Sequence, residues 1–493
     1  MSGLAPSFDL LQSRWPVLAA SDEVSRRTLN VVAPYDGQPI AQVAVASDRH
    51  VQDALFAAFS MYRQKDRWLS PSRRIAVLTQ ALKLIEDNAE LLATEAARES
   101  GKALRWCVQE VHQAREDATE AIAQLREKLA EDLPIGLLCG MQPEATRVRF
   151  GLSEPAGVVV VVLGRDSPLQ LAARFLFAAV AAGCPVIIKP AEDVPLSCLR
   201  LVHLLHEAGL PYVWCQSVVT ETHEVTRQLI SDPRVALFSF CGSSDVGWNL
   251  RAQLAPGTRA LLDHGSVVPA VVALDADLEL AAATVVAKGL TQRMPNSDSV
   301  QRVFVPDKIS EAFLQAVQLQ AERIVSGDPL LPQTEHGPLV RPTDPDRVQQ
   351  WVDAAVAGGG RIVCGGVALG HQGYAPTIVL NPPLDAQMST QPACAPVLAV
   401  YTLGSLEEAC ERANALPLAR GALVFTNNAS VAAQLSRALD ATQIGINERW
   451  DERFSQSTSS GLRRSGLGEL GFDAACTAMQ IRKSVDVRAW IEA

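Results

Sequence analysis

The sequence predicts an α/β protein whose first domain contains a doubly wound, mainly parallel sheet of the nucleotide-binding type. Short apolar runs such as 157-GVVVVVLG-164 and 185-PVIIK-189 are each followed by a helical pattern, over 168–182 and 196–208. Strands that are apolar throughout are typical of a parallel sheet covered by helices on both faces. A second series of strands and helices follows residue 263. We therefore expect two α/β units built along one chain.

The N-terminal part is predicted to add a hairpin and several helices to the first unit. Residues 30–45 alternate apolar and polar side chains around Asp36-Gly37, a dipeptide typical of a hairpin turn. Ser47 is placed to cap a helix that carries Val51 and Leu55 on one face. Longer helical patterns follow over 71–98 and 102–132.

Strands and helices then alternate to about residue 366. In the first unit the strands are predicted over 157–164, 185–189, 213–219 and 235–240, with helices over 168–182, 196–208, 222–231 and 246–255. In the second unit the strands are predicted over 269–274, 300–305 and 361–366, with helices over 278–290, 310–325 and 345–358. We expect the two units to meet near residue 263. The Ser/Gly-rich segment 454–468 is predicted to be a loop.

Composition and charge exclude several classes of function. The chain has 493 residues, of which 48% are hydrophobic and 20% charged, and a net charge of −10. This acidic balance argues against a nucleic-acid or anionic-membrane partner, because both require a basic face. The N-terminus shows no secretory signal pattern, and no apolar run approaches the roughly 20 residues of a membrane span. A cytoplasmic protein is expected.

Cysteine and histidine spacing predicts no metal site. The ten cysteines form no C-x-x-C pair, so we expect reduced thiols that serve as small apolar side chains. His203 and His206 lie one turn apart on a predicted helix, but the sequence indicates no third ligand.

A set of segments in fixed order resembles the aldehyde dehydrogenase superfamily over nearly the whole chain. Three of them are the 155-PAGVVVVVLGRDSPL-169 stretch, the 189-KPAE-192 run and the 240-FCGSSDVG-247 turn, which resembles F-T-G-S-T-x-x-G. The others are 262-LDHGS-266, 326-SGDPLLPQTEHGPLV-340, 420-RGALVFTNN-428, similar to G-L-x-A-x-V-F-T-x-D, and 461-GLRRSGLGELG-471. No single segment is decisive, but their order and spacing are specific. The nearest branch is the lactaldehyde and phosphonoacetaldehyde dehydrogenase type.

The resemblance implies a three-part architecture. A Rossmann-like nucleotide-binding domain would comprise 20–132 and 151–262, and a catalytic-type α/β domain would comprise 263–442. Oligomerisation strands would comprise 133–150 and 476–493, with 145-ATRVRFGLSE-154 pairing with 477-TAMQIRKSVDV-487 across a dimer interface. A homodimer or homotetramer is therefore expected.

The resemblance also implies a chemistry, and the residues that carry it are substituted. In the family a cysteine thiolate attacks the aldehyde, an asparagine side chain and a backbone N–H hold the oxyanion, and a glutamate activates water. The motif G-Q-x-C-x-S-x-Q-R, aligned on Gln301 and Arg302, places Ser297 at the cysteine, 34 residues after Asp263. Asp263 then stands at the glutamate, and Asp166 at the asparagine.

The cofactor-binding positions are only partly retained. On the adenosine and phosphate side, the resemblance assigns Lys189, Glu192, Gly242, Ser243 and Gly247 to NAD or NADP. The family's E-E-x-F-G-P-V segment has become 391-QPACAPV-397, with Pro392 at the ribose-binding glutamate and Cys394 at the packing aromatic. Weak or absent binding of NAD or NADP is expected.

Each substituted position also has an ordinary structural interpretation. Ser297 is either a loop serine or, with Asp263 or His264 as its base, a nucleophile. Asp166 is either a surface or salt-bridged carboxylate, or a buried neutral acid that donates a hydrogen bond. Lys189 and Glu192 are either ligand-binding groups or charges that cap a strand end.

The leading hypothesis is a family member that no longer oxidises aldehydes, retained as a scaffold, regulatory or partner subunit. An active paralogue is one candidate partner. The alternative is an active NAD(P)-dependent oxidoreductase that converts a small aldehyde to its acid, or an esterase that acts through Ser297.

Overall fold

The computed structural model describes residues 13–130, 148–292, 298–448 and 461–487. These residues form two large, mainly parallel sheets covered by helices, together with small antiparallel and edge sheets. The predicted α/β fold is confirmed.

The strands are numbered here in chain order. They are β1 (Arg14–Trp15), β2 (Thr28–Val32), β3 (Pro39–Ala44), β4 (Val148–Pro155), β5 (Val158–Leu163), β6 (Val186–Lys189), β7 (Cys215–Ser217), β8 (Val235–Gly242), β9 (Arg259–His264), β10 (Val268–Val272), β11 (Val300–Pro306), β12 (Arg361–Cys364), β13 (Thr377–Leu380), β14 (Val397–Leu403), β15 (Leu418–Ala419), β16 (Gly421–Phe425), β17 (Gln443–Ile446), β18 (Leu462–Arg463), β19 (Gly466–Leu467) and β20 (Gln480–Val487).

The α-helices are numbered in the same way. They are α1 (Asp48–Arg63), α2 (Pro71–Asp87), α3 (Ala89–Ser100), α4 (Leu104–Ala130), α5 (Pro168–Ala182), α6 (Leu196–Glu207), α7 (His223–Ile230), α8 (Ser244–Arg251), α9 (Leu278–Gly289), α10 (Asp307–Ala321), α11 (Asp344–Ala357), α12 (Gln387–Thr390), α13 (Leu406–Asn414), α14 (Ala429–Ala438) and α15 (Phe472–Ala478). Short 3₁₀ turns occupy Lys65–Arg67 and Tyr212–Trp214.

The first large sheet has the strand order β19-β9-β8-β5-β6-β7. All neighbours are parallel except β19, which the C-terminal part of the chain adds antiparallel to β9. Along β5 alternate side chains enter two different cores: Val159 and Val161 pack with α4 and α5, whereas Val158 and Val160 pack with α1. Burial on both faces explains why this strand is apolar throughout.

The second large sheet has the order β12-β13-β14-β11-β10-β16-β17, and only the edge strand β12 is antiparallel to its neighbour. Its two faces also bury separate cores, one around Val303 and Phe313 and one around Phe304 and Tyr401. The passage from the first sheet to the second falls between β9 and β10, while the predicted domain bounds stay a prediction.

Three predicted elements differ from the observed ones for local reasons. The pattern over 71–98 is two helices, because the Asn88 side chain donates to the carbonyl of Leu84 at 2.7 Å and ends α2. The strand predicted over 213–219 is only β7, because residues after Pro211 form a 3₁₀ turn. Within the described part of 454–468, the predicted loop contains the two-residue strands β18 and β19.

The two predicted arm strands form an antiparallel sheet of β4 and β20 within one chain, with Pro155 opposite Gln480 and Val148 opposite Val487, so the expectation that they pair with each other across a dimer interface is wrong. Residues 133–147 and 488–493 lie outside the described residues. The dimer interface that this arm was expected to form stays a prediction.

Candidate functional site

A cavity of about 800 Å³ lies between the two large sheets. From the first sheet it is lined by residues that follow the carboxyl ends of β5, β6, β8 and β9. From the second sheet it is lined by residues that precede β11, β14 and β16. The carboxyl edge of a doubly wound sheet is where such folds bind ligands.

Lys189 and Glu192, two of the predicted cofactor-binding residues, lie side by side at the cavity. Lys189 is the last residue of β6, and its Nζ lies 3.5 Å from Glu192 Oε2. Arg341, from the segment before α11, approaches the same carboxylate from across the cleft, with its Nη2 3.6 Å from Glu192 Oε1. Burial would raise the pKa of Glu192, but Lys189 and Arg341 outweigh burial and lower it. Glu192 is therefore a carboxylate held between two cations.

The turn after β8 brings Gly242 and Ser243 to the cavity wall, whereas Gly247 lies behind it. A Cβ on Gly247 would lie 2.0 Å from Cε1 of His264 and 2.7 Å from Cδ1 of Phe240. The glycine therefore leaves space for the buried His264 ring, whose Nδ1 lies 3.3 Å from the Gly242 carbonyl oxygen. Gly247 acts through packing rather than as a wall of the cavity.

Asp263 faces the cavity from the end of β9, and its carboxylate is engaged by a buried arginine. Arg420 Nη1 donates to Asp263 Oδ1, and Arg420 Nε lies 2.8 Å from Asp298 Oδ1. The exposed fractions of Asp263, Asp298 and Arg420 are only 8%, 5% and 6%. Burial raises the pKa of Asp298, and Arg420 opposes this shift without reversing it. Sequence reasoning found Asp263 but missed Arg420 and Asp298.

Asp166 lies in the segment between β5 and α5, where it borders both the large cavity and a neighbouring chamber of about 80 Å³. The ammonium of Lys102 lies close enough to sense its charge: burial lowers the pKa of Lys102, but Glu110 and Asp166 together raise it. Lys102 Nζ also donates to Glu110 Oε1 at 2.7 Å and to Ser167 Oγ at 3.0 Å. Asp166 therefore lies close to a buried cation, and the choice between its two interpretations stays a prediction.

Two thiols, Cys241 and Cys394, line the large cavity. Burial raises the pKa of both, and for Cys241 the charge of Asp263 adds to the effect. Cys394, from the altered 391–397 segment, has a positive φ of 50°. Protonated thiols are poor nucleophiles, because the thiolate is the reactive form.

The 391–397 segment also brings Pro392 to the cavity, where its Cβ and Cγ would lie 3.3 Å from a Cβ on Gly265. A pyrrolidine ring offers no acceptor to a sugar hydroxyl. The position that the resemblance assigns to the nicotinamide ribose therefore contributes only apolar contact.

Ser297, the predicted nucleophile position, lies outside the described residues. His264, one of its two candidate bases, has its pKa lowered by burial, and its Nε2 has no hydrogen-bond partner in the described part of the chain. Asp263, the other candidate, is the partner of Arg420.

A further arginine faces the cavity from α5. Gln170 and Arg174 lie one helical turn apart and both line it. The buried Nε of Arg174 has no hydrogen-bond partner among the described residues. A guanidinium is suited to bind a carboxylate, sulfonate or phosphonate.

No cluster of three or more His, Cys, Asp or Glu side chains arranged to hold a metal occurs in the described ranges. Over the same ranges, none of the helices combines the length and the apolar character of a membrane span.

A sequence model of the aldehyde dehydrogenase family matches residues 20–485. The chain is 30% identical over 453 residues to 3-sulfolactaldehyde dehydrogenase of Priestia aryabhattai, covering 91% of this chain and 92% of that protein. It is 29% identical over 457 residues to aspartate-semialdehyde dehydrogenase 1 of Pseudomonas canavaninivorans, covering 93% of this chain and 96% of that protein.

Solved structures share the fold. Lactaldehyde dehydrogenase from Escherichia coli superposes with a TM-score of 0.86 at 23% identity, covering 97% of this chain and 100% of that chain. NADP-dependent glyceraldehyde-3-phosphate dehydrogenase from Bacillus halodurans, complexed with NADP, superposes with a TM-score of 0.88 at 21% identity and the same coverage.

Proposed function

The chain belongs to the aldehyde dehydrogenase family, and from that premise we propose that it is a member that no longer oxidises aldehydes. It serves instead as a scaffold, regulatory or partner subunit. The α/β framework and the cavity between its sheets are both present, so only the catalytic chemistry is proposed to be lost.

The observation that carries the proposal is the state of the thiols in the cavity. Family chemistry begins with a thiolate, and the sequence places a serine at that position. Cys241 and Cys394 are the thiols that line the cavity among the described residues, and burial raises the pKa of each. Neither therefore replaces the missing nucleophile at neutral pH.

The test is a turnover assay of the purified protein with NAD⁺ or NADP⁺ and a panel of small aldehydes. The panel should include anionic ones such as sulfolactaldehyde and a semialdehyde, because relatives act on these. We expect no turnover above about 10⁻³ of an ordinary median kcat near 10 s⁻¹. Faster oxidation of any member of the panel would overturn the proposal.

We further propose weak or absent binding of NAD or NADP. The resemblance assigns Lys189 and Glu192 to the adenosine ribose, but Glu192 already has Lys189 and Arg341 as partners. Pro392 supplies no carboxylate at the other ribose. Calorimetric titration with NAD⁺ and NADP⁺ tests this proposal. Weak binding indicates a residual adenosine site, absence of binding indicates a lost one, and tight binding would contradict the proposal.

The runner-up is an active enzyme, and one observation favours it: Arg174 lines an intact cavity, and its buried Nε has no hydrogen-bond partner among the described residues. In that case the protein would oxidise a small, negatively charged aldehyde, or hydrolyse an ester through Ser297. Activity that survives Ser297→Ala would remove the esterase mechanism. Oxidation of neutral and anionic aldehydes with equal kcat/KM would remove the role of Arg174.

As a partner subunit the protein is proposed to act in the cytoplasm as a homodimer or homotetramer, or bound to an active paralogue. The two-stranded sheet of β4 and β20 is the element that supports assembly. Purification from the native host distinguishes the two states: a co-purifying aldehyde dehydrogenase indicates the mixed assembly, and a single species indicates the homo-oligomer.

A further inference from the structure

We infer that Arg420 prevents Asp263 from acting as a general base. At the position of the family's water-activating glutamate, this chain has an aspartate that is shorter by one methylene and is also held in an ion pair. This inference rests on the proposed loss of aldehyde oxidation and names a residue that enforces it. Arg420 acts through Asp263 and is therefore a positioning residue.

The geometry fixes the guanidinium between two carboxylates that come from different sheets. Asp263 is the next-to-last residue of β9 in the first large sheet, whereas Asp298 precedes β11 of the second. Arg420 lies directly before β16, also in the second sheet. Asp298 therefore anchors Arg420 from its own domain, and Arg420 Nη1 reaches across the cleft to Asp263.

A general base needs a lone pair directed at water and a charge free to accept the proton. One oxygen of Asp263 accepts from Arg420, and the guanidinium stabilises the negative charge that protonation would remove. Because all three groups are buried, bulk water screens this attraction little. The oxygen of Asp263 that accepts from Arg420 is therefore not available to a water molecule.

The sequence pattern makes Arg420 distinctive. Aligned on Val424-Phe425-Thr426, the motif G-L-x-A-x-V-F-T has a leucine at position 420, and the following β16 is fully buried. A leucine has no donor for a carboxylate. In this chain an arginine takes that position, and Asp298 supplies its second partner.

A thiol placed at position 263 reports the influence of Arg420 directly. In Asp263→Cys the rate of alkylation by iodoacetamide is measured from pH 5 to 10, with the parent protein as the blank for Cys241 and Cys394. A neighbouring guanidinium lowers the pKa of a thiol below its ordinary value of about 8.5. We expect alkylation at pH 7 to be at least about tenfold faster than in Asp263→Cys/Arg420→Leu.

The matched control is Asp263→Cys/Arg464→Leu, which removes another cation from the cavity wall, one whose partner is Asp245. We expect its pH profile to follow that of Asp263→Cys. If Asp263→Cys/Arg420→Leu does not fold, Asp298→Asn is added to it. That variant removes the charges of both Arg420 and Asp298, and its thiol is compared with that of Asp263→Cys in the same way.

Superimposable profiles with and without Arg420, or an Asp263→Cys thiol with a raised pKa, would overturn the inference. So would an equal effect of Arg464→Leu. Aldehyde turnover by the parent protein would instead overturn the proposed function and leave this titration unchanged, so the two failures are distinguishable.

Discussion

Replacing Arg420 with leucine should destabilise the protein strongly, because it leaves two buried carboxylates without their cation. Asp263 and Asp298 are at most 8% exposed, and both lie against the guanidinium. Removing one partner of a buried ion pair costs about 3–5 kcal/mol. For a domain of 150–250 residues each kcal/mol lowers Tm by ~2–4 °C, so Tm should fall by about 6–20 °C.

The loss should also depend on pH in a defined direction. Without Arg420, burial raises the folded-state pKa of Asp298 further above the unfolded value of about 3.9. A group with a raised folded pKa stabilises the protein below the unfolded pKa, and this contribution is lost as pH rises through the folded pKa. The Tm deficit of Arg420→Leu should therefore be larger at pH 8 than at pH 5.

Differential scanning calorimetry of parent and variant at pH 5 and pH 8 measures both effects. Arg420→Leu/Asp298→Asn/Asp263→Asn is the matched control, because it removes all three charges and should recover much of the lost Tm. A Tm deficit under about 2 °C, or one that is the same at both pH values, would show that the three groups are not coupled as the geometry indicates.

Four further outcomes are expected. The triple variant Ser297→Cys/Asp166→Asn/Asp263→Glu should be acylated by an ester such as p-nitrophenyl acetate. Adding Arg420→Leu to it should raise the steady-state deacylation rate by about 10² or more. Equal deacylation rates with and without Arg420 would contradict the role of Arg420. Lys189→Ala should weaken any calorimetric NAD⁺ affinity by about tenfold, since it removes a cation at the adenosine end; an unchanged Kd would place the nucleotide elsewhere. Gly247→Ala should destabilise by about 1–3 kcal/mol in thermal unfolding, because its Cβ would overlap the His264 ring, and a neutral effect would mean that the ring moves away freely. Deletion of 484–493 removes half of the β20 register and should yield monomer or aggregate; an unaltered dimer in solution scattering would contradict the assembly role of the arm.

The parts of the fold that the sequence predicted well are those that local pattern determines. The helix Pro168–Ala182 and the strand β5 match their predicted ranges closely, because an apolar run between turn residues leaves few alternatives. The helix break at Asn88 was missed because a single side chain bonding to a carbonyl one turn earlier decides it. Such a bond leaves little trace in hydrophobic periodicity.

In the candidate site, the sequence located the residues of the family motifs but not the contacts between residues that are distant in the sequence. The segments that resemble the family located Asp166, Lys189, Glu192 and Asp263, and the structure places all four at the cavity. Arg420 was missed although its segment was recognised, because its partner Asp263 lies 157 residues away. Two signals were available: an arginine at the position where the family motif has a leucine, and a charged residue immediately before a strand, 421-GALVF-425, that is buried throughout.

The triad of Asp263, Arg420 and Asp298 changes how the substitutions are interpreted. In the sequence alone, Asp263 is a carboxylate shortened by one methylene, Arg420 is a charge in an apolar motif, and Asp298 is an acid beside the nucleophile position. In the structure each requires the others: Arg420 alone would be a buried unpaired cation, and either aspartate alone a buried unpaired anion. Because burial of a lone charge costs several kcal/mol, the three residues are stable only as a unit. Restoring the thiol by itself would therefore leave the position of the water-activating glutamate occupied by an aspartate that is paired with Arg420.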